Sequence, residues 1–473
     1  MNSPIGGSKR WTGWGLAALL VWGVAGCTHY HPRPLSAERN AAELERRSLA
    51  DSGLRAFLAT NHVAGEWPRR AWDLNALTLA AFYFSPDLDV ARAQLAGARA
   101  GETTAGQRPN PTVGVAPSYD TTTTIPSPWV VTATLDVPLE TAGKRGHRRT
   151  QAAHLTDAAR FRLAAAAWRV RSQVRRNFLA LYAARERATR WRQQETLLAG
   201  SLHLLEAQRD AGAVSPIEVT RARIALNRAR FARQDAEQQL VMARAQLAAV
   251  VGVTPAALAG VKWDFSAFRN FPANPPAAAA RHQALLNRAD LLAALAEYAA
   301  AESALQLEIA RQYPDVHLGP GYEFDQGDNK WGLGLSLELP VLNQNQGPIA
   351  EAEARRAEAA ARFNALQARV LAEIEQAVAG YRVAARKAEA ARALDRELTQ
   401  QLRAARNQFA AGEISRLELA QRRLELADAA LARLDAVISA QESLGALEDA
   451  LQSPATLLPV SESSPRLSAS PQP

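Results

Sequence analysis

The chain of 473 residues contains one cysteine, two methionines and only 6% aromatic residues. A lone cysteine excludes an intrachain disulfide and any thiolate cage for a metal. Proline, frequent elsewhere, is missing from His147 to Arg209 and from Ile349 to Ala410, so nothing there interrupts a helix. A block of one charge sign is also lacking. The net charge of +8 is the balance of 55 basic and 47 acidic residues, interleaved along the chain. That pattern describes a solvated helical surface and not a nucleic-acid footprint, which needs clustered cations and stacking aromatics. After residue 27 no apolar run approaches the 18 or more residues of a membrane helix. Any membrane crossing by the later chain therefore requires a closed β-barrel. Convergent nucleophiles, bases or metal ligands are absent from the pattern, and so is a P-loop. His29 and His31 flank Tyr30, and His147 and His154 lie two turns apart. Without carboxylate or cysteine company, both pairs read as solvated surface histidines. Neither an enzyme nor a resident cofactor is expected.

What is present begins at the N-terminus. Lys9 and Arg10 precede a short apolar run, Trp11 to Val24, and then Val24-Ala25-Gly26-Cys27. This is the layout of a secretory signal, and its last four residues resemble a bacterial lipobox. On that reading residues 1–26 are removed and Cys27 carries a covalent lipid. Thr28 following the cysteine implies sorting to the outer membrane. The competing reading is an anchor helix with an incidental cysteine, but the run is short for a bilayer.

The remainder is a duplication with an offset of about 200 residues. The first copy covers 86–252 and the second 289–453. Asp87-Leu88 matches Asp290-Leu291, Pro111 matches Pro314, and Tyr119 matches Tyr322. Ala158-Ala159-Arg160-Phe161 recurs as Ala360-Ala361-Arg362-Phe363, and Leu135 to Leu139 corresponds to Leu337 to Val341. The order of proline, glycine and tyrosine landmarks is what alanine-rich chains do not produce by accident. Residues 27–85 form an N-terminal segment, 253–288 a proline-marked linker and 454–473 a disordered serine- and proline-rich tail.

Each copy reads as helix, two strands, very long helix, tight turn and return helix. The first helices are expected at Pro86–Gly106 and Ala289–Gln312. Strands are marked by a change of period. Trp331, Leu333, Leu335, Leu337 and Leu339 alternate with small or polar residues, as Val131, Ala133, Leu135 and Val137 do in the first copy. This pattern suits a half-buried strand of a soluble sheet or a barrel wall equally. In the proline-free stretches Phe363, Leu366, Val370, Ile374, Val378 and Tyr381 fall at helical steps. Roughly 60 residues at 1.5 Å each give about 90 Å, a length stable only with neighbours alongside. Ser215 to Val250 and Ser415 to Gln452 are the return strokes. Four strands close no membrane barrel, since the smallest have eight. Two chains would pool eight and three would pool twelve, so an oligomer is required.

With these features in order, the chain resembles an outer membrane factor of the TolC family. The resemblance rests on the duplicated unit, the lipobox, the segment Arg108-Pro109-Asn110-Pro111-Thr112 before the first strand and two Gly-x-[Val/Ile]-Ser turns. It implies a mainly α fold with β: a homotrimer whose 12-stranded outer-membrane barrel continues into a periplasmic α-helical barrel. It implies a periplasmic adaptor (membrane fusion protein) docking at the turns Gly212, Ala213, Val214, Ser215 and Gly412, Glu413, Ile414, Ser415. It further implies an inner-membrane transporter of the resistance-nodulation-division type as energy source, and contact with outer-membrane lipid. Glu418 takes a place where the family often carries a constricting acid, with Glu218 as its repeat mate. Gln421 stands where a second acid may occur in relatives. The ordinary alternative for Glu218 and Glu418 is a first-turn acid favoured by the helix dipole. Pro138-Leu139-Glu140-Thr141-Ala142-Gly143-Lys144-Arg145 is similar to members serving heavy-metal cation pumps. The alternatives are the same duct for drugs, organic solutes or type I secretion, and, in another class, a lipid-anchored periplasmic coiled-coil or adaptor protein.

Overall fold

The computed structural model describes residues 29–454 apart from 64, 122–123, 125–126 and 273–277. The signal segment, Cys27, Thr28 and nearly all of the C-terminal tail lie outside the described residues. The chain divides into two units at Arg46. The first holds helix α1 (Ala37–Arg46), which has no buried residue.

The second unit contains α2 (Ser52–Thr60), α3 (Leu74–Phe84) and α4 (Pro86–Ala105), then strands β1 (Thr112–Tyr119) and β2 (Trp129–Leu139). Helix α5 (Lys144–Asp210) and its return helix α6 (Pro216–Val251) complete the first repeat. The linker forms two short 3-10 turns and helix α7 (Ala278–Asn287). The second repeat follows as α8 (Ala289–Ala310), β3 (Val316–Asp325), β4 (Asp328–Leu337), α9 (Gln346–Ala410) and α10 (Arg416–Leu451). The expected unit therefore occurs twice, in the expected order. With 67 and 65 residues, α5 and α9 each extend for about 100 Å. Alternation was expected to carry strand structure to Leu339, but β4 ends at Leu337.

The four strands form one antiparallel sheet in the order β1-β2-β3-β4. Their register gathers the alternating residues of every strand onto common faces. One row reads Val115, Ala133, Tyr322, Trp331, and another Val137, Leu318, Leu335. The opposite face carries Thr132, Glu323 and Lys330 in one row and Gly114, Thr134, Gly321 and Gly332 in the next. The apolar face is bare: Trp331 is 82% exposed and Leu333 75%. A contiguous apolar sheet face of this kind is tolerated against lipid or a partner and not against water. Aromatic pairs sit towards its turn end, Tyr119 with Trp129 at 5.1 Å and Tyr322 with Trp331 at 4.9 Å, as an interfacial girdle would. Among the described residues both outer edges of the sheet, β1 and β4, stand without a strand partner, which is the condition for pairing with another copy.

The helices are held by two kinds of contact. Around the middle of α5, Phe178 meets Trp263, Phe265 and Phe268 of the linker at 4.8–5.9 Å, over buried Leu54, Leu77, Leu247 and Leu258. The linker is tied to the N-terminal segment by a Trp72–Trp263 parallel bridge. Arg47 donates to the carbonyls of Phe84 and Gly252 at 2.9 and 3.0 Å. Gly252 has φ +85°, and a Cβ there would lie 2.9 Å from the Phe84 carbonyl oxygen, so only glycine fits.

The second kind is a polar seam between α5 and α10, that is, between the repeats. Arg175 donates to the Gln441 carbonyl at 2.9 Å and its side chain at 3.1 Å, and pairs with Glu448 at 3.2 Å. Arg171 reaches the same carboxylate at 3.2 Å, and Ser172 bonds Asp449. Further down, Arg187 pairs with Asp435 at 2.8 Å and Gln194 donates to Asp428 at 2.6 Å. Gly445 leaves room for the Arg175 guanidinium, which a Cβ would strike.

Arg175→Met strips Glu448 of a cation in a buried setting, and the expected loss is about 3 kcal/mol of stability. Gly445→Ala should lower the melting temperature through the same guanidinium. Arg362→Met, which breaks an exposed pair with Glu358, should change stability by less than about 0.5 kcal/mol. Thermal unfolding of the full-length protein in detergent checks all three.

Candidate functional site

The two helical turns are near-identical pieces of backbone. Helix α5 ends with Gly212 at φ +74° and α9 ends with Gly412 at φ +80°. In the first, the Gly212 N–H donates to the Arg209 carbonyl and the Ala213 N–H to the Gln208 carbonyl, both at 2.8 Å. In the second, Gly412 bonds Phe409 at 3.1 Å and Glu413 bonds Gln408 at 2.9 Å. This is the Schellman arrangement, which satisfies the last carbonyls of a helix through a left-handed residue. The following serines then start the return helices. Ser215 accepts from the Glu218 N–H at 3.4 Å and Ser415 from the Glu418 N–H at 3.1 Å. Ile414 packs onto the small core of Leu402, Ala405 and Leu419, which seats the second turn.

The acids thus sit at the third helical position, where the dipole favours a carboxylate. That local role accounts for their presence without invoking a pore. Both side chains are nevertheless exposed and engage in no ion pair among the described residues. Gln421 is exposed as well. No hydrogen bond or ion pair joins one turn to the other among the described residues. Sequence reasoning missed Arg221, the repeat mate of Gln421, which is exposed and lies one turn beyond Glu218. The alignment that equated Ala211–Glu218 with Ala411–Glu418, carried three residues further, would have found it. The first-repeat turn therefore carries a base one turn beyond its acid, while in the second Gln421 takes that place, Arg416 lies two residues before Glu418 and Arg422 is taken by Glu425 at 3.1 Å.

The Pro138–Arg145 segment forms the joint between sheet and helices. Lys144, nearly buried, donates to the Tyr313 carbonyl at 2.6 Å and to Asp315 at 2.7 Å. Thr141 bonds Asp315 through its N–H at 2.9 Å and Pro314 through its hydroxyl at 2.6 Å. Arg145 donates to the Gly106 carbonyl at 2.7 Å, and Arg148 pairs with Glu140. Burial pushes the Asp315 carboxyl up, but the Lys144 ammonium and the Thr141 N–H outweigh it and hold it below the usual range. These residues bind the corner after β2 to the corner before β3 and to the end of α4.

On the polar face of the sheet, His317 Nδ1 lies 3.1 Å from both Asp136 oxygens. Among the described residues no group of three or more histidine, cysteine or carboxylate side chains is placed to hold a metal. No described helix is long and apolar enough to cross a membrane.

Comparison with known proteins places this geometry in context. The family described as "Outer membrane efflux protein" matches residues 81–253 and 280–452, one match on each repeat. The cobalt-zinc-cadmium resistance protein CzcC of Cupriavidus metallidurans is 27% identical over 220 residues, 46% of this chain and 52% of CzcC, so the match spans about half of that relative. Two solved structures share the fold. The outer membrane protein VceC of Vibrio cholerae superposes with a TM-score of 0.63 at 21% identity, over 80% of this chain and 96% of VceC. The open state of the Neisseria gonorrhoeae MtrE outer membrane channel gives 0.64 at 17%, over 81% and 89%.

Ser215→Ala and Ser415→Ala should each remove about 1 kcal/mol from the local turn. The loss should appear as faster amide exchange at Glu218 and Glu418 with little change in global melting. Gly212→Ala and Gly412→Ala, which force a Cβ onto positive φ, should each destabilise the turn by about 1 kcal/mol.

Proposed function

The chain belongs to the outer membrane efflux protein family, and from that membership we propose that it is the outer-membrane exit duct of a tripartite pump for heavy-metal cations. The family is one of efflux proteins and not of enzymes. The observation that carries the reading is the four-stranded sheet, apolar on one face and polar on the other, mounted on helices of about 100 Å. Four strands are too few for a closed wall, and among the described residues neither sheet edge has a further strand. Three chains would pool twelve strands, with the polar faces lining the conduit and the apolar faces against lipid. A self-association face is supported on α6, where Ile217, Ile224 and Phe231, 64%, 47% and 64% exposed, recur at heptad spacing.

In this reading the covalent lipid on Cys27 anchors the chain, and the turns at Gly212–Ser215 and Gly412–Ser415 receive the periplasmic adaptor. A transporter of the resistance-nodulation-division type supplies the energy, since the sequence has no P-loop. Metal cargo is supported by the likeness to CzcC and by the Pro138–Arg145 segment. Carboxylates at Glu218 and Glu418 around a narrow mouth would favour cations. Arg221 favours the second reading, a duct for neutral or anionic organic solutes, because a cation beside Glu218 cancels half of that preference.

Deletion of the gene should lower tolerance to zinc, cobalt and cadmium salts several-fold, and a wild-type copy should restore it. The Glu218→Gln, Glu418→Gln copy should restore only part. Sensitivity to drugs without sensitivity to metals would refute the metal cargo. In planar bilayers, Arg221→Gln should increase the preference for cations over anions.

A further inference from the structure

Midway along α5, a cavity of about 330 Å³ opens between α5, α9, α10 and the linker. Its wall gathers cations from all four elements: Arg190 of α5, Arg392 of α9, Arg433 of α10 and Arg269 of the linker. Glu186 is the one carboxylate of that lining, and it forms no ion pair among the described residues. Arg392 is held by Glu389 at 2.7 Å and stacks 4.4 Å from the Phe271 ring. Arg433 reaches Asp395 through its buried Nε, at 3.5 Å and outside hydrogen-bond geometry. The buried Nε–H of Arg190 has no hydrogen-bond partner. Even with Glu389 and Asp395 counted, cations outnumber anions around the space. Tyr182 lines the same wall. Burial raises its titration most and Glu186 adds to that, while Arg433, Arg190 and Arg269 each act to lower it. Three guanidinium groups therefore lie within Coulombic reach of a single oxygen.

Leaving such donors unsatisfied is unfavourable, because a buried polar group without a partner loses its hydration for nothing. Guanidinium forks match the oxygens of phosphate and similar anions, and the volume lies at the small end of ligand sites. We propose that this cavity binds a small polyvalent oxyanion, a phosphoryl or pyrophosphoryl group, with Arg190, Arg433 and Arg269 as its cationic ligands and Tyr182 as a neutral donor. The bound anion would bridge the first repeat, both long elements of the second and the linker, stiffening the duct at mid-length. The site is independent of which cargo passes through the channel.

The test is thermal unfolding of the full-length protein in detergent, titrated with inorganic phosphate, pyrophosphate or sodium chloride at matched ionic strength. Pyrophosphate should raise the melting temperature in a saturable way, phosphate less, and chloride little. In the Arg190→Gln, Arg433→Gln double variant the anion-free melting temperature should stay level or rise, since mutual repulsion is relieved. Its affinity for pyrophosphate should fall at least tenfold, whereas Arg362→Gln should keep the wild-type response. Equal stabilisation by chloride, or an undiminished pyrophosphate response in the double variant, overturns the proposal. If the double variant fails to fold, the exposed linker change Arg269→Gln decides: weaker pyrophosphate affinity supports the site, and unchanged affinity overturns it.

Discussion

The contact on which the architecture depends is the buried Arg175 guanidinium between α5 and α10. Each repeat on its own is a long hairpin with one packed side, and a helix of about 100 Å is unstable without neighbours along its length. Alanine-rich surfaces pack closely but select register poorly, because one small side chain resembles the next. The seam answers that with discrete partners: Arg175 with Gln441 and Glu448, Arg187 with Asp435, Gln194 with Asp428. Sliding by a turn would separate these pairs. Burial lowers the Arg175 titration and the Glu448 carboxylate opposes that shift. The pair therefore serves register more than stability, in keeping with the modest net worth of buried ion pairs.

Register also governs the sheet. Because side chains alternate with a period of two, a slip of one residue between any two strands would move a leucine row onto the polar face. The observed pairing keeps Trp331, Tyr322, Ala133 and Val115 in one row. It is held from below by the Lys144–Asp315 joint, which ties the strand ends to the helices at a single corner. Sheet and helices are thus mechanically continuous, so a displacement of α5 is felt at the base of β2 and β3.

Much of this was legible from sequence, and the reason is locality. Long helices announce themselves by absent proline and three-to-four spacing, the turns by Gly-x-[Val/Ile]-Ser, and the strands by a period of two. The duplication multiplied each signal. Illegible features depend on distant residues. Helix α3, Leu-Asn-Ala-Leu-Thr-Leu-Ala-Ala-Phe-Tyr-Phe, is apolar nearly all round and buried on most sides, so it shows no amphipathic period. The Trp72–Trp263 bridge joins segments 191 residues apart, and nothing local marks either end. Leu339 continues the alternation past the last paired residue, because a pattern does not say where its partner strand ends. The choice of α10 as the second neighbour of α5 depends on Arg175 meeting Glu448 across 273 positions.

The seam also shows how the duplication diverged. The repeat offset falls from 202 at Ala158–Phe161 to 200 at Ala211–Glu218, so Arg175 lies opposite the stretch Glu375 to Ala377, which holds no cation, and Glu448 lies opposite Ala248. Among the described residues this polar lock joins α5 and α10. Its counterparts, α9 and α6, instead expose apolar residues: Val383 and Leu394 on α9, at 60% and 48%, and the Ile217, Ile224, Phe231 stripe on α6. Two faces of common origin have taken different tasks, one a register-selective contact made inside the chain, the other an apolar face left open. The same asymmetry reaches the turns, where Glu218 has Arg221 as its neighbour and Glu418 has Gln421. The first turn has Pro216 and Arg221 around its acid where the second has Arg416 and Gln421, so the two corners of common origin carry their cation on opposite sides of the glutamate.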